Sequence, residues 1–195
     1  MIQDFNLIKK LREKTGAGVI SCQKALEEAG GNLEKAEEIL RKKGEKVAAA
    51  KSERTTKAGL IGVYLHSNEK IAALVELACE TDFVARNSEF RELAHDLAMQ
   101  VAAANPSYLS PEDVPKDILE KEKEIYQEEM TKEKKPPQIL EKIIAGKLEK
   151  FFENVCLLKQ PFIKDQSIKI EDLIKSKIAR LGENIQIKRF IRFEI

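Results

Sequence analysis

The chain has 195 residues, enough for one or two domains, and its 34 lysines and arginines against 33 aspartates and glutamates leave a formal net charge of +1. So even a balance argues against a protein that wraps nucleic acid by neutralising phosphates. With 43% hydrophobic and 34% charged residues, the sequence can bury a real core beneath a densely charged surface, which excludes disorder of the whole chain.

Phe5, Ile8 and Leu11 fall at i, i+3, i+6 and predict a short first helix with one apolar stripe, broken by Gly16 and Gly18. Cys22, Ala25, Leu26 and Ala29 then recur at helical spacing, with Ser21 as the cap and Gly30-Gly31 as the stop. Asn32 caps a third helix whose Leu33, Ala36, Ile39 and Leu40 share a face before Gly44 ends it in a left-handed turn. Residues 1–45 therefore read as a three-helix domain. Residues 46–58 read as a linker of small and charged residues, with helical propensity from its alanines and lysines.

Residues 59–195 read as an α+β domain. Leu60–His66 and Ile71–Ala78 are strand-like and flank the polar turn Ser67–Lys70, which predicts an antiparallel hairpin. The last residues alternate Ile185, Ile187, Ile191, Phe193 and Ile195 against Gln186, Lys188, Arg192 and Glu194, completing a three-stranded antiparallel sheet. Arg189 and Phe190 break that alternation, as either a bulge or a strand with a covered second face would.

Between hairpin and last strand, Phe90, Leu93, Ala94, Leu97 and Val101 form an amphipathic helix suited to cover one face of the sheet. Ser110-Pro111-Glu112-Asp113 has the proline and the acidic residue of a helix start. Lys116–Lys135 is dominated by charge, and its Ile118, Glu122, Ile125 and Met130 align only loosely, as in a solvated helix or one arm of a helical hairpin. After Pro136-Pro137, Leu140, Ile143, Ile144, Leu148, Phe151, Phe152 and Val155 make the strongest apolar stripe and read as core. Glu171–Leu181 is a final helix closed by Gly182.

Chemistry-bearing patterns are scarce. No apolar run approaches the roughly 20 residues of a membrane-spanning helix, and Met1–Asn6 lacks the basic start and apolar stretch of an export signal. A cytoplasmic location with no membrane partner is the expectation. Cys22, Cys79 and Cys156 are odd in number and widely spaced, predicting buried reduced thiols rather than disulfides or a zinc site. His66 and His95 have no partner at metal-ligand or acid-base spacing. There is no phosphate-binding glycine loop, dinucleotide fingerprint or nucleophile elbow, and Thr15-Gly16-Ala17-Gly18 follows a helix and reads as a turn. The sequence thus predicts no catalytic residue, metal or cofactor, and favours a binding protein over an enzyme.

Glu80-Thr81-Asp82-Phe83-Val84-Ala85-Arg86-Asn87 stands out because an aromatic sits among polar neighbours between a strand and a helix. Two placements are open: Phe83 folds back into the core while Thr81 or Asp82 caps a turn, or Phe83 stays outside as a rigid wedge for a partner's pocket.

Two stretches, Leu11–Leu26 with its Thr-Gly-Ala-Gly-Val-Ile-Ser-Cys-Gln-Lys-Ala-Leu and Thr81–Asn87 with its Thr-Asp-Phe-Val-Ala-Arg-Asn, resemble the two signatures of the elongation factor Ts family. The resemblance extends through Gly146–Leu148, Leu157–Phe162 and Phe190–Glu194, and is closest to the family's short form with one core. It implies an N-terminal domain like the ubiquitin-associated fold, an α+β core, and guanine nucleotide exchange on elongation factor Tu without covalent chemistry. It further implies that Phe83, within Thr81, Asp82, Phe83 and Val84, enters the partner's GTPase domain, that the partner's magnesium is displaced, and that GDP is released. Gly18, Val19 and Ile20 would dock on another helix of that domain, although Val19 and Ile20 could equally pack inside the small three-helix core. A homodimer, necessarily noncovalent at the cysteine-free last strand, would complete the partner surface. The competing expectation is an adaptor whose three-helix domain binds a protein partner, with no direct nucleic-acid contact in either case.

Overall fold

The computed structural model describes residues 5–131 and 137–195; Pro136, the side chain of Met130, the end of the charged stretch at 132–135 and residues 1–4 lie outside the described set. The chain divides into two compact units: the described residues of Met1–Ile61 with Glu76–Ala94 and Asp172–Lys188, and Gly62–Val75 with His95–Glu171 and Arg189–Ile195.

In the first unit, α1 (Phe5–Thr15), α2 (Val19–Glu28) and α3 (Leu33–Lys51) pack around Ile8, Leu11, Cys22, Ala25, Leu26 and Ala36. Phe5 is exposed rather than buried, because Leu7, Ile8 and Leu11 define the stripe and Phe5 lies off its centre. The cap of α2 is Gly18, not Ser21, since Cys22 N–H already donates to the Gly18 carbonyl at 2.9 Å. Ser21 is therefore inside the first turn. Gly30 and Gly31 do stop α2, both at positive φ, and Asn32 accepts Lys35 N–H at 3.0 Å as the cap of α3.

Gly44 does not end α3, which continues to Lys51. The helix runs past it beside α8 (Ile170–Leu181): a Cβ at Gly44 would stand 3.6 Å from the Ala179 Cβ, an ordinary contact, and Ala48, one turn on, is buried. A run of helix formers through 45–51 supplies the propensity, and small side chains allow the close approach. Ser52 closes the helix by donating to the Ala49 carbonyl at 2.8 Å.

The main sheet has the order β1-β2-β5, from β1 (Ala58–Leu65), β2 (Ile71–Cys79) and β5 (Ile185–Glu194). It is the expected three-stranded antiparallel sheet of an α+β core. Asn68 accepts Lys70 N–H in the turn, and Glu69 takes the left-handed conformation. On β5 the buried residues are Ile185 and Ile187, but the half-buried ones further on are Phe190 and Arg192. The more covered positions thus shift from odd to even numbers across Lys188–Arg189, where the sequence alternation is interrupted. Arg192 Nε then donates to the Ala102 carbonyl of α5 (Ser88–Ala104) at 2.9 Å, while Ile191 and Phe193 point outward.

The helix stripe Phe90, Leu93, Ala94, Leu97 and Val101 is buried as expected. His66 and His95 are less isolated than their spacing suggested, because Tyr64 hydrogen-bonds His66 Nδ1 at 3.1 Å and meets the His95 ring edge-on at 5.8 Å. Ser110 and Asp113 form a capping box, but around the single 3-10 turn Pro111–Asp113. Beyond it, α6 (Lys116–Thr131) and α7 (Pro137–Val155) pack on each other as a helical hairpin. The α7 stripe is only half-buried, a correction to its reading as core: a two-helix hairpin covers one side of each helix and leaves the rest to solvent. A second, two-stranded ladder, β3 (Pro161–Phe162) with β4 (Asp165–Lys169), is too short for periodicity to predict.

All three cysteines are free and buried, and burial raises each thiol pKa, that of Cys156 to about 11. The folded protein should therefore leave Ellman's reagent unreacted near neutral pH, and all three thiols should react once it is unfolded in guanidinium. Rapid labelling of any one before unfolding would contradict this packing.

Candidate functional site

The Thr81–Val84 segment is built where β2 runs out. Its last residue, Cys79, donates its thiol to the Thr81 carbonyl at 3.2 Å, and Thr81 stays extended, at φ −131° and ψ 157°. The chain then turns into α4 (Asp82–Ala85), a single helical turn closed by Ala85 N–H on the Thr81 carbonyl and Arg86 N–H on that of Asp82. Asn87 accepts Glu89 N–H at 2.8 Å and begins α5. Within this turn Ala85 is buried, Val84 half-buried, and Phe83 is 90% exposed. The open choice from the sequence is thus settled for the side chain's position: Phe83 stands outside the core.

Thr81 occupies the cap position but makes no cap bond, because its hydroxyl is committed elsewhere. It donates to Glu183 Oε1 at 2.6 Å, while Thr81 N–H and Glu80 N–H both donate to Glu183 Oε2, at 3.0 and 3.1 Å. In return, Glu80 Oε1 accepts Asn184 N–H at 2.7 Å, and the buried Asn184 amide donates to the carbonyls of Ser52 and Arg54. The Arg54 guanidinium lies 3.7 Å from Glu80. Glu183 and Asn184 were missed in the sequence. Two polar residues between the Gly182 terminator and the start of β5 look like any short connecting loop, so nothing in the sequence singles them out.

The other predicted segment lies at the start of α2. Gly18 has no heavy atom within 4 Å of where a Cβ would project, and Val19 and Ile20 are 47% and 69% exposed. Both apolar side chains are thus available for contact outside the three-helix core. Just before them, Gly16 (φ +66°) lies against Arg180, whose guanidinium would be 2.3 Å from an added Cβ. Arg180 also pairs with Glu89 at 2.6 Å, and Lys177 reaches the same carboxylate at 3.5 Å. The end of α8 and the loop after it therefore reach the neighbourhood of both segments: Arg180 at the Gly16 turn and Glu183 at Thr81.

Among the described residues no group of three or more His, Cys, Asp or Glu side chains is arranged to hold a metal, and no helix is long and apolar enough to cross a membrane. Burial, with the Glu183 carboxylate second, pushes up the Cys79 pKa, so that this sulfur stays a hydrogen-bond donor at neutral pH.

A three-helix unit, a helix-covered three-stranded sheet, and a braced turn presenting an exposed aromatic together define an α+β protein. The family model described as Elongation factor TS matches residues 6–195. The chain is 57% identical over 189 residues to elongation factor Ts of Thermodesulfovibrio yellowstonii, covering 97% of this chain and 94% of that one. It is 58% identical over 191 residues to elongation factor Ts of Thermotoga petrophila (98% and 95% covered) and 52% over 189 to that of Carboxydothermus hydrogenoformans (97% and 87%). The chain belongs to the elongation factor Ts family, and so to the factors of translation elongation.

Proposed function

We propose that the chain is a cytoplasmic guanine nucleotide exchange factor that binds the GTPase domain of elongation factor Tu and promotes GDP release so that GTP can rebind. The observation that carries this reading is the 90% exposure of Phe83 on a turn tied down at both ends. An aromatic ring has few rotamers to lose, so an exposed and prepositioned one is well suited to entering a partner's pocket. Its entry displaces elements that hold the partner's magnesium ion. That ion neutralises phosphate oxygens, and weakening its site loosens the phosphate-binding loop on the diphosphate. Thr81, Asp82 and Val84 shape the wedge's base. Gly18, Val19 and Ile20 provide a second contact from an N-terminal domain, residues 1–45, that resembles the ubiquitin-associated fold.

In this reading residues 46–58 are a linker, helical as far as Lys51, and residues 59–195 are the core and dimerisation domain. Tyr64 and Arg192 point toward α5, so Val63, Leu65, Ile191 and Phe193 share the opposite face of the sheet, where all four are exposed. Such an apolar face supports a symmetric homodimer, noncovalent because the last strand has no cysteine. The double variant Val63→Asp/Phe193→Asp is expected to sediment as a monomer where the unaltered chain sediments as a dimer. A monomer for both would remove this part of the proposal.

The exchange reading is tested by loading elongation factor Tu with a fluorescent GDP, adding the chain with excess unlabelled GDP, and following release by stopped flow at two magnesium concentrations. Acceleration that rises with the concentration of the chain is the expected result. Release at the spontaneous rate, with both proteins folded, would overturn the reading and favour an adaptor role for the three-helix domain.

A further inference from the structure

We infer that Glu183 is a positioning residue for exchange, setting the direction in which Phe83 is presented; the inference rests on the reading of Phe83 as the wedge. The α4 turn has four residues, far too few to hold a helix by its own hydrogen bonds. Its orientation must come from what fixes the chain just before it. There, two successive backbone N–H groups, of Glu80 and Thr81, converge on one carboxylate oxygen of Glu183, and the Thr81 hydroxyl bonds the other.

Hydrogen bonds to an ionised acceptor are stronger than neutral ones, and three from adjacent groups leave Thr81 little freedom to rotate away from its extended conformation. The brace is reciprocal, since the Glu80 carboxylate accepts the backbone N–H of Asn184. It is anchored in turn, because the Asn184 amide ties the same corner to the carbonyls that follow α3. Glu183 is half-buried, and these bonds go to the backbone and hydroxyl ahead of the α4 turn rather than to Phe83. Its effect on exchange runs through the backbone that carries Phe83.

Three full-length variants, Glu183→Ala, Glu183→Gln and Glu183→Asp, are compared in two measurements. The first is amide hydrogen exchange of the free protein, which needs no partner. Removing a charged acceptor from two N–H groups is expected to speed exchange at Glu80 and Thr81 by about tenfold or more in Glu183→Ala. In Glu183→Gln most of the protection should remain, since an amide oxygen accepts the same two bonds and its NH2 can donate to the Thr81 hydroxyl. The second is release of fluorescent GDP from elongation factor Tu as a function of the concentration of each variant. Glu183→Ala should lower the saturating rate by about tenfold and move the half-saturating concentration by less than about twofold, the pattern of an interaction made only in the transition state. On a Phe83→Ala background the same substitution should cost nothing further, because two residues acting through one group are not additive.

If Glu183→Ala does not fold, Glu183→Asp, one methylene short, carries the same tests with smaller changes. Unchanged amide exchange at Glu80 and Thr81 would overturn the brace. Full additivity with Phe83→Ala would overturn its action through the wedge. A Phe83→Ala protein with unaltered exchange, alongside amides that respond to Glu183, would overturn the wedge reading and the exchange role of Glu183 with it, while leaving the brace itself established.

Discussion

A Phe83→Ala variant is expected to lose most of its nucleotide-release activity while keeping its fold. Truncating an aromatic anchor at the centre of a protein contact costs about 2 kcal/mol or more, or about thirtyfold in rate if the contact is made only as release occurs. The folded chain loses little, because a ring 90% exposed buries almost no apolar area. Alanine is also the better helix former in the α4 turn, so the unfolding midpoint should stay within about 0.5 kcal/mol of the unaltered protein. The loss should appear in the saturating release rate rather than in the half-saturating concentration, because the Val19 and Ile20 contact remains. Reciprocity adds a second readout: a variant that no longer weakens GDP binding must itself be bound as tightly to the GDP-loaded partner as to the empty one. Stopped-flow release and titration of both partner forms check the two together. A folded variant with the full release rate would remove Phe83 from the mechanism.

Much of this architecture was legible because its determinants are local. The Asn32 cap, the Gly30-Gly31 stop and the buried α5 stripe each follow from a few residues and a helical period. Gly44 misled even so. A glycine after an apolar run reads as a terminator, but this one is carried inside the helix by the helix formers that follow it as far as Lys51. The α7 stripe misled because periodicity reports which face is apolar and not how much material covers it.

At the candidate site, the hydropathy pattern left open whether Phe83 turned in or out, and the resemblance of Thr81–Val84 to the family signature implied that it turned out, which is where the side chain stands. The Glu183 carboxylate that holds the chain ahead of this turn comes from roughly a hundred residues away, and no pairing of that kind is visible in one sequence. The exposure of Val19 and Ile20 has a similar origin. α2 begins at Gly18 rather than at Ser21, which moves both residues into its first turn and away from the Leu11, Cys22 and Leu26 cluster.

Gly59→Ala is expected to be the most damaging single-methyl change in the chain's β1–β2 corner. An alanine Cβ would stand 2.3 Å from the Leu77 carbonyl oxygen and 2.9 Å from the Ala78 Cα, and both obstacles are backbone of the neighbouring strand. No side chain can rotate to relieve the contact, and the φ of +156° is itself rarely adopted by residues other than glycine. Either β1 separates from β2 or the β2 backbone shifts, at a cost of about 3 kcal/mol or more. For a chain of this length that corresponds to a fall of about 6–12 °C in Tm. Gly146→Ala is the matched control: Gly146 lies within α7 with open space around it, so the same added methyl should stabilise by about 1 kcal/mol. Because β2 leads directly into Thr81, the Gly59→Ala protein should also lose release activity, but in company with its lowered Tm and faster amide exchange along β2. Phe83→Ala loses activity with neither. Circular dichroism melts of the three variants beside their release rates therefore separate a wedge that is missing from a wedge whose supporting strand has moved.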